Sequence, residues 1–259
     1  MPATEPVRVA IEDGIARITL ADPAHRNALS KALSDALAAA VSRALGAGAA
    51  VLVLDAEPPV FCAGGSLEGL LDPRHGLGAM YAGFLALADA PIPTIAAVCG
   101  PAVGAGVNLP LACDVVLAGE SARFDPRFLD VGIHPGGGHL WRLTRRIGYQ
   151  GAAAMVLCGD ALTGAEAAAH GLAWRCVPDA ELPEAATRLA RRVAGRSAEL
   201  VRRTKQTLRA SEGLRDAAQA VALELEAQQW SVEQPDFRER VAAIRDGIAA
   251  RHAQSGADR

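Results

Sequence analysis

Aromatic side chains are scarce, at 4% of 259 residues. With alanine abundant, packing must run largely through small residues, helix on helix or helix on sheet. The five cysteines, Cys62, Cys99, Cys113, Cys158 and Cys176, form no CxxC pair. Neither a disulfide framework nor a zinc cluster fits that scatter, and small buried thiols in a reducing compartment are expected. No apolar run approaches the roughly 20 residues that span a bilayer. The opening MPATEPVRVAIEDG has no basic and no apolar leader region. A soluble, cytoplasmic protein without a membrane partner is expected. The formal net charge of −3 argues against wholesale nucleic-acid binding.

Several catalytic signatures are missing too. GGSLEG lacks the second glycine of a nucleophile elbow, because Glu68 stands there. There is no HExxH, and His134 and His139 are five apart, awkward for one helical face. No metal site is expected. No GxGxxG follows the first strand, so a dinucleotide fold lacks its main marker.

What is present is globular: 51% hydrophobic and 21% charged residues, enough for one large domain or a domain with an appendage. VRVAIED and IARITLA alternate around Asp13-Gly14, which reads as a β-hairpin. Ser30 is a candidate N-cap, followed by Leu33, Leu37, Val41 and Leu45 on one helical face, with Gly46 and Gly48 ending the helix. AAVLVLDA, PTIAAVCG and DVVLAGES read as strands buried on both faces, alternating with helices, one of them over 78–89. The pattern is an α/β fold with parallel strands and right-handed crossovers. A short strand or turn is expected at LAWRCVP, and from about Leu182 the chain reads as helical and rich in arginine.

Two glycine-rich turns, FCAGGSL and CGPAVGAGVNL, each follow a predicted buried strand. Glycine lets backbone turn tightly and approach a ligand. Helices starting after such turns leave N–H groups free. Two of these from separate turns could converge on one oxygen as an oxyanion hole. Ordinary tight strand-to-helix turns would have the same glycine spacing.

With HRNALS at 25–30, FCAGGSL at 61–67, PTIAAVCGPAVGAGVNLPLACDVVLAG at 93–119, FDPRFLDVGIHPGGGHLWRL and GDALTGAEAAAHGLAWRCVP at 159–178, the chain resembles the crotonase superfamily, the enoyl-CoA hydratase/isomerase family. The resemblance covers roughly residues 7 to 210. It implies a spiral of repeated ββα units over 1–195, with a helical C-terminal region over 196–259 that mediates trimerisation. A homotrimer or a hexamer built as a dimer of trimers is implied. The ligand implied is an acyl-CoA thioester. No separate cofactor is implied, coenzyme A being part of the substrate. The oxyanion N–H groups align with Gly65 and Ala105, the second usually glycine in the family. Arg26, Ala28, Ala63 and Leu67 match positions that line the CoA.

The resemblance also exposes a departure. Hydratases of the family use two glutamates, and these align with Asn108 and Phe128, neither of which exchanges a proton near neutral pH. Asn108 can still hold a water or a polar substrate group, whereas Phe128 can only fill space. General acid–base help is typically worth about 10²–10⁴-fold. Candidate substitutes are His134, of a residue type whose charge changes near neutrality, and Asp130. Asp130 sits two beyond Phe128 and would point away from it on a helix. The segment is read as an active-site helix followed by a proline-glycine turn. Asp125 is expected to cap the turn before Pro126, His139 to bond backbone near the glycine run, and Glu68 to be solvated.

The function expected is thioester-enolate chemistry of the hydratase or isomerase class with atypical acid/base residues. The alternatives are a non-catalytic acyl-CoA-binding protein and a malonyl-type CoA decarboxylase. Arg191, Arg192, Arg196, Arg202, Arg203 and Lys205 could meet CoA phosphates or an RNA backbone, but a solvated helix face with neighbouring acids is the default.

Overall fold

The computed structural model describes residues 5–71 and 76–257, with side chains to 248. The chain divides into two compact units, Met1–Gly195 and Arg196–Arg259.

The first unit opens with the hairpin of β1 (Val7–Glu12) and β2 (Ile15–Leu20), paired Val7 to Leu20. Asp13 and Gly14 both have left-handed φ, 50° and 74°, the geometry a two-residue hairpin turn needs. Helix α1 (Lys31–Gly46) starts where the Ser30 hydroxyl accepts from Leu33 N–H. Its stripe of Leu33, Leu37 and Val41 is buried.

Strands β3 (Val51–Ala56), β4 (Thr94–Val98), β6 (Val115–Gly119) and β9 (Arg175–Val177) then join β2 in parallel. The large sheet has the order β1-β2-β3-β4-β6-β9. Its unbroken apolar strands are explained by cover on both faces. In β3, Leu52 and Leu54 enter the main core, while Val51 and Val53 face a second cluster with Leu182, Ala186 and Ala190 of α7 (Leu182–Ala194).

A small sheet runs beside it: β5 (Pro101–Val103), β7 (Arg123–Asp125) and β8 (Leu162–Thr163). Two successive circuits of the chain each lay one strand in the large sheet and one in the small. After β4, Gly100 turns at φ 75° into β5, followed by α4 (Asn108–Ala112). After β6 the chain enters β7, and Cys62, beyond β3, bridges to Ala102 of β5. This is the α/β spiral of ββα units that the resemblance implies.

Three expectations are corrected here. The helix over 78–89 is a 3₁₀ turn, Leu77–Met80, followed by α3 (Ala82–Asp89). The segment after Phe128 is not a full helix but one 3₁₀ turn, Leu129–Val131, closed by Gly132 at φ 75°. Pro126 and Pro135 bracket it, and proline disfavours helix in the residue before it. The following helix α5 (His139–Leu157) kinks at Gly148, whose φ of 71° and ψ of 174° are non-helical. The five cysteines are free, but Cys158 is exposed, so burial does not hold for all of them. The first unit is completed by α2 (Leu67–Leu71) and α6 (Gly164–Ala169).

The second unit is helical: α8 (Ala198–Ser211), α9 (Ala217–Val232) and α10 (Pro235–Ala257). Glu199 pairs with Arg202 at 2.8 Å and Arg203 at 3.2 Å, and the Arg203 guanidinium lies 4.1 Å from the Trp230 ring centre. These basic residues thus have an acid and an aromatic face as neighbours. No described helix is long and apolar enough to cross a membrane.

Candidate active site

The two glycine turns interlock. A Cβ on Gly106 would lie 2.5 Å from the Cys62 carbonyl oxygen, and one on Gly64 would lie 2.7 Å from that of Val103. Gly64 also has φ 96°, which side-chain-bearing residues rarely adopt. Backbone bonds extend the lock: Val103 N–H donates to Cys62 O at 2.9 Å, and Leu29 N–H donates to Gly64 O at 2.7 Å. Glycine is needed here for the close approach of two chain segments.

The consequence is that Gly65 and Ala105 line the same pocket. Gly65 N–H has no backbone acceptor among the described residues. Ala105 is second in the 3₁₀ turn Gly104–Val107, which no side chain caps, so its N–H lacks an intrahelical partner. The non-glycine residues with positive φ are Asp13, Arg26 and Asn27. Ala105 therefore carries its methyl group in ordinary backbone, without strain.

The pocket is an open cleft with a cavity volume of about 50 Å³. Leu29, Leu70, Leu77, Met80, Phe84 and Ile133 make most of its wall apolar. Polar groups enter from Tyr81, Asn108 and His134.

Asn108 is buried at the start of α4. Its Nδ2 donates to Gly136 O at 3.2 Å, and its Oδ1 lies 2.8 Å from His139 Nδ1. A carbonyl can only accept, so the amide nitrogen must face Gly136 and the amide oxygen must face His139. His139 Nδ1 is then the donor. Burial pushes this imidazole down to about 4, so it is neutral at pH 7 and Nε2 carries a lone pair. That Nε2 is buried without a hydrogen-bond partner. The Phe128 ring stands edge-on to it, centroids 4.9 Å apart. His139 thus bonds a side chain, not the backbone expected from its place after the glycine run. Its burial also withholds it from proton exchange near neutrality.

His134 is exposed and lines the pocket. Its Nδ1 lies 2.8 Å from Pro135 O, again an acceptor, so Nδ1 is the donor. Asp130 is not in the pocket wall; its side chain is 71% exposed and 3.9 Å from Arg127 Nε. Asp125 is buried and pairs with Arg127 at 2.6 Å and Arg123 at 3.8 Å, rather than capping a turn with its side chain. Glu68 is exposed. Among the described residues, no group of three His, Cys, Asp or Glu side chains could hold a metal ion.

A spiral of this kind has known counterparts. The family model for enoyl-CoA hydratase/isomerase matches residues 10–246. The chain belongs to the enoyl-CoA hydratase/isomerase family. It is 41% identical over 254 residues to a probable enoyl-CoA hydratase of Mycobacterium tuberculosis, covering 94% of this chain and 98% of that one. It is 36% identical over 218 residues to the 2,3-dehydroadipyl-CoA hydratase of Escherichia coli, covering 79% and 82%. Among solved structures, an enoyl-CoA hydratase of Bacillus anthracis superposes with a TM-score of 0.87 at 27% identity, over 93% of this chain and 96% of that one.

The positions that the hydratase/isomerase resemblance gives to CoA lie beside the first turn, outside the wall of the apolar pocket. Arg26 O accepts from Ala63 N–H at 3.1 Å, and Ser66 N–H reaches Leu29 O at 2.9 Å. Arg26 is exposed, Ala28 and Ala63 are half-buried, and Leu67 is 66% exposed. Their register depends on Asn27, a residue sequence reasoning passed over. It is fully buried at φ 52°, accepts from Asp22 N–H, and donates to Glu57 O and Val60 O. An asparagine tolerating left-handed backbone is the one available signal. Tyr81 was also missed, since nothing in its local sequence points it into a pocket. Arg142 Nη1 donates to Gly137 O at 2.7 Å and, with Asn108 on Gly136 O, fixes the glycine turn from both sides.

Proposed function

We propose that this protein is an acyl-CoA enzyme of the hydratase/isomerase class. It holds a thioester oxygen between the N–H groups of Gly65 and Ala105 and uses His134 as its proton carrier. The observation that supports this reading is that Gly65 and Ala105, from the two interlocked turns, line one apolar pocket together with His134. Water-poor surroundings strengthen such donors, and losing one oxyanion donor typically costs about 10²–10³-fold in kcat.

In hydration, His134 Nε2 takes a proton from water as the oxygen bonds the β-carbon of an enoyl thioester. The C=C electron pair moves toward the thioester, and its oxygen takes the negative charge. Return of the proton from His134 to the α-carbon completes the addition. Asn108, its amide fixed by Gly136 and His139, orients water or the acyl group. Phe128 fills the place of the second glutamate and shields His139. Asp130, outside the pocket wall, has no part in this cycle. His134→Ala should lower kcat by about 10²–10⁴-fold with little change in KM. Asp130→Ala should leave both unchanged, and equal turnover by His134→Ala would overturn the assignment.

The helical second unit supports a homotrimer or hexamer. Leu208, Val221 and Ile244 are exposed there, each about 60% or more, which sedimentation can test. One observation favours a second reading, a binder without turnover: Asn108 and Phe128 cannot titrate, and burial holds His139 neutral. A malonyl-type decarboxylase would need the same oxyanion site but no water addition.

A further inference from the structure

We propose that the Tyr81 hydroxyl recognises the β-oxygen of the acyl chain, making 3-hydroxyacyl thioesters the preferred ligands of this pocket. The inference rests on the acyl-CoA reading above and adds a selectivity to it.

Tyr81 immediately precedes α3, and its ring is held in place. The ring centroid lies 5.2 Å from that of Phe84, tilted at 43°, and Phe84 is fully buried. The hydroxyl reaches across to the glycine turn. A Cβ on Gly136 would come within 2.4 Å of it, so the glycine leaves room for this oxygen. The hydroxyl has no hydrogen-bond partner among the described residues, although Tyr81 lines the pocket. Tyr81 is only half-buried, so this hydroxyl stays open to the pocket, where a ligand oxygen can bond it.

The other polar side chains of the pocket are partly committed. Both ends of the Asn108 amide are engaged, by Gly136 O and His139, and His134 Nδ1 is spent on Pro135 O. Gly65 and Ala105 offer donors only, which suit the thioester oxygen. Tyr81 both donates and accepts, as the β-hydroxyl of a hydrated acyl chain requires. The rest of the wall, including Leu70, Met80 and Phe128, suits the hydrocarbon part of the chain.

The test measures binding by the full chain, so it does not depend on turnover. 3-Hydroxybutyryl-CoA and butyryl-CoA are titrated into wild type, Tyr81→Phe and Gly136→Ala, with melting temperatures recorded beside them. The wild type should bind the hydroxylated thioester about five- to tenfold more tightly, the range of one net hydrogen bond. Tyr81→Phe keeps the ring and should abolish that preference, leaving butyryl-CoA affinity within about twofold. Gly136→Ala displaces the hydroxyl and should weaken the preference by an independent route. Equal wild-type affinity for the two thioesters, or a preference that survives in Tyr81→Phe, overturns the Tyr81 assignment while the acyl-CoA reading stands. An equal loss for both ligands reduces Tyr81 to packing and also overturns it. If neither thioester binds the wild type, the acyl-CoA reading falls and this inference falls with it.

Discussion

Gly106→Ala tests the interlock of the two turns directly. The new Cβ would sit 2.5 Å from Cys62 O and 3.0 Å from Cys62 Cβ. The first of these is backbone, so rotating a side chain cannot relieve it. Cys62 is fully buried and lies in the register that joins Val103 N–H to Cys62 O. The turns must part by about 0.5 Å to reach even 3.0 Å, below which real Cβ contacts are essentially absent. Overpacking of this kind costs about 1–3 kcal/mol. For a chain this long it should lower Tm by roughly 2–10 °C. The functional effect should be larger, because the parted turns carry Gly65 and Ala105. Misplacement of a catalytic group by about 1 Å can cost 10²-fold, and a loss of ten- to 100-fold in kcat is expected, with KM nearly constant. Gly48→Ala is the control: φ is 77° and an added methyl would meet nothing within 4 Å, so it strains backbone but touches no site. The assay pairs enoyl-CoA turnover with thermal unfolding for both variants. Gly106→Ala with full turnover at lowered Tm would refute the claim that the lock sets the spacing of the two donors.

Asn27→Ala removes three hydrogen bonds from a fully buried left-handed position. It should destabilise by about 2–4 kcal/mol in chemical unfolding, since the orphaned backbone groups stay desolvated. His139 gives a pH dependence of known sign. Its folded value of about 4 lies below the ordinary 6.5, so the unfolded chain takes up the proton first as pH falls. Stability from this group is intact above pH 6.5 and declines between 6.5 and 4, by about 3 kcal/mol in total. His139→Gln should flatten that part of the profile in urea titrations at pH 7, 5.5 and 4.5. An unchanged slope would place the burial penalty elsewhere.

Local pattern made much of the first unit legible. The Asp13-Gly14 hairpin and the Leu33, Leu37, Val41 stripe are periodicities that packing follows faithfully. The apolar runs of β3, β4 and β6 announced two-sided burial. Contacts between distant segments were not legible. Gly106 meets Cys62 and Asn108 meets His139 across long stretches of chain, and no local period encodes such pairings. The glycine spacing therefore suggested two turns without showing that they lock. The active-site helix expected after Phe128 shrank to one 3₁₀ turn because Gly132, with its left-handed φ, and the flanking prolines override its local pattern. That change leaves Asp130 exposed beside Arg127, while His134, beyond the turn, lines the pocket.

The central claim is that this pocket adds water to an enoyl thioester despite lacking a titratable group at Asn108 and Phe128. The most direct measurement incubates the purified protein with a panel of short enoyl-CoA and malonyl-type CoA thioesters, follows products by mass, and records affinities in parallel. The account predicts a product heavier by one water from an enoyl-CoA, formed by the wild type and nearly lost in His134→Ala. Tight binding with no change of mass, or loss of carbon dioxide from a malonyl-type thioester alone, would contradict it.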